Sequence, residues 1–243
     1  LAHAIVVKRG QRSEPVMLLI ENSIDVIAAT LGTLKSGKSY VVVDPSFPNE
    51  RIAHILEDCQ AGLLITNQRN IELSQKLINE GRRLLNIDEI DGSRVCDDPN
   101  LPISPDCLSS ILYTSGSTGS PKGVAHSHRS QLHTVMINTN AAHISFHDRL
   151  TLLHTVGFGS AQAHLFQALL NGASLCSFDL KSEGVQRLLK WLSEEEVTVF
   201  HSPPSVFRQL AETMLEAEKC PHLRLIRLSG ASVSRLEFDL YKQ

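Results

Sequence analysis

Tyr113-Thr114-Ser115-Gly116-Ser117-Thr118-Gly119-Ser120-Pro121-Lys122-Gly123 stands out from a chain that otherwise alternates short apolar runs with amphipathic stretches. Ser109-Ser110-Ile111-Leu112 precedes it, so residues 109–113 read as a strand that runs straight into the loop. Gly116, Gly119 and Gly123 carry no Cβ, which lets backbone N–H groups converge on an anion. Thr114, Ser115, Ser117 and Thr118 add hydroxyl donors with little bulk, and Lys122 adds a compact positive charge. This is the composition needed to hold a polyphosphate. It is not a Walker A loop, which requires Gly before the Lys and Ser or Thr after it. Here Pro121 precedes Lys122 and Gly123 follows it, which counts against a P-loop NTPase. A flexible Ser/Gly linker is the bland alternative. The flanking Ile111-Leu112-Tyr113 and the closing Pro121-Lys122-Gly123-Val124 argue against that reading.

Upstream of the loop, residues 16–20 form a continuous apolar run, the pattern of a buried strand. Residues 22–36 follow with helical spacing at Ile24, Ile27, Leu31 and Leu34, and Gly37 supplies a stop. Residues 40–43 are β-branched and strand-like, and Pro48 opens a helix with an apolar face at Ile52, Ile55 and Leu56. Residues 63–66 give a further strand. This β-α-β-α-β order implies parallel strands joined by crossovers. Downstream, strands are predicted at 150–155, 173–178, 197–201 and 223–228. Helices are predicted at 161–170, 183–193 and 204–218. The turn-rich segment 88–106, with Pro99, Pro102 and Pro105, reads as a connection. The fold class is therefore α/β, with two layered subdomains and largely parallel sheets. The boundary is expected at 106/107: a first subdomain with its connecting segment over 1–106, and the loop with a second, incomplete subdomain over 107–243.

The 243 residues are 42% hydrophobic, ample for a packed core, and carry a formal charge of −3. That balance excludes the basic, patchy surface of a nucleic-acid binder. No apolar run reaches the roughly 18 residues of a membrane helix, and the first ten residues lack the pattern of a signal peptide. The five cysteines, Cys59, Cys96, Cys107, Cys176 and Cys220, form no C-x-x-C pair. They read as small buried apolar residues in a reducing, cytoplasmic setting rather than as a disulfide or zinc framework. The chain begins on Leu1, and Gln243 falls inside a helical pattern, so it is expected to be a fragment.

Tyr113 to Gly123 with Val124 resembles the signature of the adenylate-forming, or AMP-binding, superfamily: acyl-CoA synthetases, luciferases and nonribosomal peptide synthetase adenylation domains. A His soon after the loop, as in His126-Ser127-His128-Arg129, is a further likeness. Leu34-Lys35-Ser36-Gly37-Lys38-Ser39-Tyr40-Val41-Val42-Val43-Asp44-Pro45 resembles a motif of the peptide-synthetase branch, and 48–58 and 63–66 continue that likeness. The resemblance covers nearly the whole chain. It implies the N-terminal core of an acyl-adenylate-forming enzyme, which activates a carboxylic acid with ATP to an acyl-adenylate and pyrophosphate. The acyl group then passes to a thiol, that of a carrier-protein phosphopantetheine or of coenzyme A. Thr114, Ser115, Gly116, Ser117, Thr118, Gly119 and Lys122 are expected to hold the ATP phosphates, with Mg²⁺ bridging phosphate oxygens rather than sitting in a protein metal site. Catalytic residues are not assigned.

The resemblance places an acyl pocket at Phe158, Gly159, Ser160, Ala163, His201, Arg227 and Ser229. Amino-acid-activating members carry Phe-Asp where this chain has Phe158-Gly159. That Asp pairs with the substrate's α-ammonium, and Gly159 cannot. Leaving such a cation buried and unpaired costs several kcal/mol, so an acid without an α-amino group is the expected substrate. Arg227 reads two ways: pointing inward to pair with a second carboxylate, or facing solvent at a strand end. His201 is expected to line the pocket, and His154 and His164 remain open. Several family parts have no counterpart within 1–243: the segment that stacks on adenine, the Asp for the ribose hydroxyls, and the C-terminal domain with its catalytic Lys. The chain alone is expected not to complete adenylation. Two other readings stand beside the synthetase: an acyl-CoA synthetase or fatty acyl-AMP ligase, and a catalytically incomplete phosphate-binding module.

Overall fold

The computed structural model describes residues 1–78, 81–92, 97–115, 121–153, 156–213 and 220–242. In chain order the first elements are α1 (Ala2–Arg9), β1 (Pro15–Leu19), α2 (Ile24–Lys35), β2 (Ser39–Val43) and α3 (Asn49–Asp58). Then come β3 (Leu63–Thr66), α4 (Ile71–Leu77), β4 (Arg83–Asn86), β5 (Leu108–Ser115) and β6 (Pro121–Ser127). The chain continues through α5 (His128–Ala142), β7 (Arg149–Leu152), α6 (Gly159–Leu170), β8 (Ser174–Ser177) and α7 (Leu180–Glu194). It ends with β9 (Val199–Ser202), α8 (Pro204–Thr213), β10 (Leu225–Leu228) and α9 (Arg235–Tyr241). These elements form two compact units, Leu1–His133 with Thr155–Gly159, and Thr134–His154 with Ser160–Gln243.

In the first unit the strand order is β4-β3-β1-β2-β5-β6. All pairs are parallel except β5–β6. β1, β2 and β3 are buried and mostly apolar, Ser39 and Thr66 excepted, because central parallel strands are covered on both faces. Met17, Leu19, Val41, Val43 and Leu64 pack against Ile52, Ile55 and Leu56 of α3. Each such side chain contributes about 1.5–3 kcal/mol by leaving water. Helix α2 starts where Ser23 accepts a hydrogen bond from the Asp25 N–H, and it stops at Gly37, whose φ of 74° suits glycine. Lys38, in the motif that resembles the peptide-synthetase branch, is fully buried. Its ammonium donates to the Arg12 carbonyl at 2.7 Å and lies 3.3 Å from Glu14, which Arg9 also grips. This lysine is part of the frame.

The second unit holds four parallel strands in the order β10-β9-β7-β8. Its apolar side includes Leu153, Phe178, Leu188, Leu192, Phe200 and Phe207. Asp148 ties the strand starts together. Arg224 reaches it through two nitrogens at 2.8 Å, and Thr198 donates to it at 2.7 Å. Burial raises the Asp148 pKa, but these hydrogen bonds overcome that and bring it down from 3.8 to about 2.

The expected α/β class with largely parallel sheets is what the chain adopts, and the predicted strands and helices fall on observed elements, while 154–155 of one predicted strand and 214–218 of the last predicted helix lie outside the described residues. The 106/107 boundary does not coincide with the division into units. Strands β5 and β6 complete the first sheet, with Ser110 beside Tyr40 and Thr114 opposite Lys122. Periodicity marks a strand but does not name the sheet edge that will satisfy its backbone groups. The hairpin strand β6, the α4–β4 pair and α5 were not predicted, because their apolar patterns are short or interrupted by polar residues.

Candidate active site

The loop stem is a β-hairpin. Its register pairs Tyr113 with Gly123, Thr114 with Lys122 and Ser115 with Pro121. The expected phosphate-contacting residues Gly116, Ser117, Thr118 and Gly119 lie outside the described residues. Thr114 and Lys122 flank that segment, both exposed, and the Thr114 hydroxyl approaches the Lys122 carbonyl at 3.5 Å. Among the described residues no carboxylate pairs with the Lys122 ammonium. A neighbouring side chain therefore does not neutralise it, and it suits a phosphate oxygen.

Tyr113 anchors the stem. Its hydroxyl donates to the Asp58 carboxylate at 2.5 Å, joining β5 to the end of α3. Burial first, and then the Asp58 hydrogen bond, push the phenol well above its usual pKa, so it stays a donor. Gly123 has a local reason to be glycine. A Cβ there would lie 3.0 Å from Ile111 Cγ2 and 3.2 Å from Tyr113 Cζ. The bare backbone at 123 leaves room for the ring that makes the Asp58 bond. Next to the stem, burial pushes the His128 imidazole toward its neutral form. Among the described residues no group of three or more His, Cys, Asp or Glu side chains converges as a metal site.

The expected acyl-pocket residues divide between the units. Phe158 and Gly159 belong to the first and are exposed. Among the described residues a Cβ built on Gly159 meets only Leu112 Cδ1, at an ordinary 3.5 Å. Steric space therefore does not exclude a carboxylate-bearing residue there. Ser160, Ala163, His201, Arg227 and Ser229 belong to the second unit. Arg227 and His201 are partners on neighbouring parallel strands, so their side chains leave the same face of the sheet. Ser229 is two residues further along and shares that face, its hydroxyl 2.6 Å from His201 Nε2. On α6, Ser160, Ala163, His164 and Gln167 follow i, i+3, i+4, i+7 spacing and line one stripe. His164 stacks on His201 with ring centroids 4.0 Å apart, and Gln167 accepts a hydrogen bond from Arg227 at 3.0 Å.

Arg227 departs from the solvent-facing reading. Its side chain is half-buried and held by Gln167 Oε1 and, at 2.8 Å, by Asn138 Oδ1 of α5. Sequence reasoning missed Gln167 and Asn138. A glutamine among apolar neighbours at a core-facing position is the one signal that pointed to the former. His154 lies outside the described residues. His164 is a core residue, 2% exposed.

A chain with this hairpin and two largely parallel sheets has a layered α/β frame. It belongs to the AMP-binding enzyme family, whose model matches residues 1–237. Tyrocidine synthase 2 of Brevibacillus parabrevis is 32% identical over 232 residues, 94% of this chain and 6% of that protein's length. The chain thus spans a small part of the curated relatives it matches, and these are peptide synthases, as the 34–45 motif suggested. Among solved structures, the nonribosomal peptide synthetase FmoA3 matches with a TM-score of 0.88 and 22% identity, over 99% of this chain and 26% of that one. The N-terminal domain of FACL13 from Mycobacterium tuberculosis matches with a TM-score of 0.87 and 21% identity, over 99% and 63%. At these identities the likeness is one of fold. Among the described residues no helix is long and apolar enough to cross a membrane.

Proposed function

We propose that this chain is part of an adenylate-forming ligase that activates a carboxylic acid with ATP and hands the acyl group to a carrier-protein phosphopantetheine thiol. The observation that carries this reading is Lys122. It is an exposed ammonium without a carboxylate partner among the described residues, held on a braced hairpin where the Ser/Thr/Gly loop ends. In the reaction a substrate carboxylate oxygen attacks the α-phosphorus of ATP. The bond to the β-phosphate oxygen breaks, and pyrophosphate leaves with the negative charge. The residues 114–119 and Lys122 would hold the β- and γ-phosphates, and Lys122 would offset the charge that builds on the leaving group. The Tyr113–Asp58 bond orients the hairpin from below. Mg²⁺ would supply further neutralisation on the phosphate oxygens. The described residues offer no ready-made cluster for it, so no step is assigned to it.

On the acyl side, Gly159 supports an acid without an α-ammonium, because the position has room for a carboxylate and carries none. The same glycine is compatible with a second reading, in which coenzyme A is the acceptor thiol. ATP–pyrophosphate exchange by the full-length protein of which this chain is part, screened over aryl, keto, hydroxy, fatty and amino acids, tests the first step. Exchange with a non-amino acid is expected. Folded protein that exchanges with no acid would rule the proposal out. Transfer of the activated acyl group to a phosphopantetheinylated carrier or to coenzyme A then separates the two acceptors.

A further inference from the structure

Arg227 differs from the other well-anchored arginines. Arg9, Arg82, Arg129 and Arg224 each bond a carboxylate, of Glu14, Glu57, Asp106 and Asp148 respectively. Each has its pKa raised, first by that hydrogen bond. Arg227 has only the neutral oxygens of Gln167 and Asn138, with no carboxylate within ion-pair distance among the described residues. Burial alone acts on it, pushing its pKa down. A half-buried guanidinium without a counter-charge is costly to maintain.

A second observation lies beside it. Gln167 is 0% exposed, and its Nε2 has no hydrogen-bond acceptor among the described residues, while its Oε1 is turned to Arg227. A buried amide donor without an acceptor costs about 1–3 kcal/mol. The cluster thus combines a planar cation with free N–H groups and a buried amide donor, and it lacks an anion. Fork-shaped guanidinium geometry suits a planar carboxylate with two parallel N–H···O bonds.

We infer that Arg227, held by Gln167 and Asn138, is the seat for a second carboxylate on the substrate acid, making the substrate class a dicarboxylic acid. This rests on the reading above that the protein activates a carboxylic acid. The seat itself lies wholly within the second unit. Its neighbours on the same sheet face, His201 and Ser229, are polar and suit an anionic terminus better than a long alkyl chain.

Calorimetric titration of the full chain with glutarate and with valerate compares acids of equal carbon number that differ by one terminal carboxylate. Glutarate is expected to bind about 10- to 100-fold more tightly, and Arg227→Met to bring its affinity to the valerate level. Arg227→Lys, which keeps the charge but loses the fork, is expected to recover only part of the difference. Equal affinities, no binding of either acid, or a preference that survives Arg227→Met would overturn the seat. Circular dichroism checks that the variants are folded. If Arg227→Met unfolds, the wild-type preference and its reduction in Arg227→Lys carry the test, and an unreduced preference counts against the seat. Pyrophosphate exchange by the full-length protein with the same two acids keeps the claims separate. Exchange without glutarate preference sinks the seat and leaves adenylation standing. Arg227-dependent glutarate binding without exchange does the reverse.

Discussion

The two units use similar β-α-β patterns, yet they differ in where polar chemistry sits. In the first, the middle of the sheet is apolar from Met17 to Leu64, and the described candidate phosphate groups, Thr114 and Lys122, are displayed on an exposed hairpin stem. In the second, polar side chains are built into the packing layer itself: His164, Gln167, His201 and Ser202 are all buried. A group displayed on a hairpin stays hydrated and can be substituted at little cost to the fold. A group inside a packing layer must find partners, and its loss is felt in stability as well as in binding. The first unit therefore separates frame from function, and the second combines them.

The largest test of that difference is Asp148→Ala. It removes the acceptor for Arg224 and Thr198 and is expected to destabilise the protein by about 3 kcal/mol in urea unfolding. Because the Asp148 pKa is depressed from 3.8 to about 2, its stabilisation is complete above about pH 4 and fades as the pH falls toward 2. The wild type should lose stability across that window, and Asp148→Ala should lose less.

Lys122→Ala probes the other side of the contrast. It should weaken ATP or pyrophosphate binding by about 1.5–3 kcal/mol while shifting unfolding by less than about 0.5 kcal/mol. Comparable losses in binding and stability would erase the distinction between displayed and buried chemistry. Gly157→Ala is a control within the first unit's frame. Its new Cβ would lie 2.7 Å from the Val42 carbonyl oxygen, so a loss of about 1–2 kcal/mol in thermal or urea unfolding is expected.

The smallest structural effect belongs to Gly159→Asp. The position starts α6 and has room for a side chain. A carboxylate at a helix N-terminus should raise stability by about 0.3–1 kcal/mol. The informative readout is pyrophosphate exchange, where the variant is expected to gain activity with α-amino acids. A gain in stability without any gain in amino-acid exchange would mean that the residue at 159 does not face the substrate.

Much of the fold was legible in the sequence. The apolar-rich runs at 16–20, 40–43 and 63–66 became strands because a fully buried strand is mostly apolar, a property each run carries locally. Ser23 and Gly37 bounded α2 through contacts within a few residues. The loop's composition and spacing were enough to resemble one enzyme family and to exclude a Walker A site. Tertiary structure decided the rest, where the relevant partner is distant in the chain. Strand β5 joined the first sheet because its backbone groups pair with β2, across a segment with no periodicity. Gly123 is glycine because Tyr113 lies across it, and Tyr113 lies there because it reaches Asp58. Arg227 became a half-buried cation because Gln167 and Asn138, 60 and 89 residues away in sequence, come to it through the fold. A sequence pattern reports whether a residue is buried or displayed. Only the folded chain shows which groups a buried charge meets.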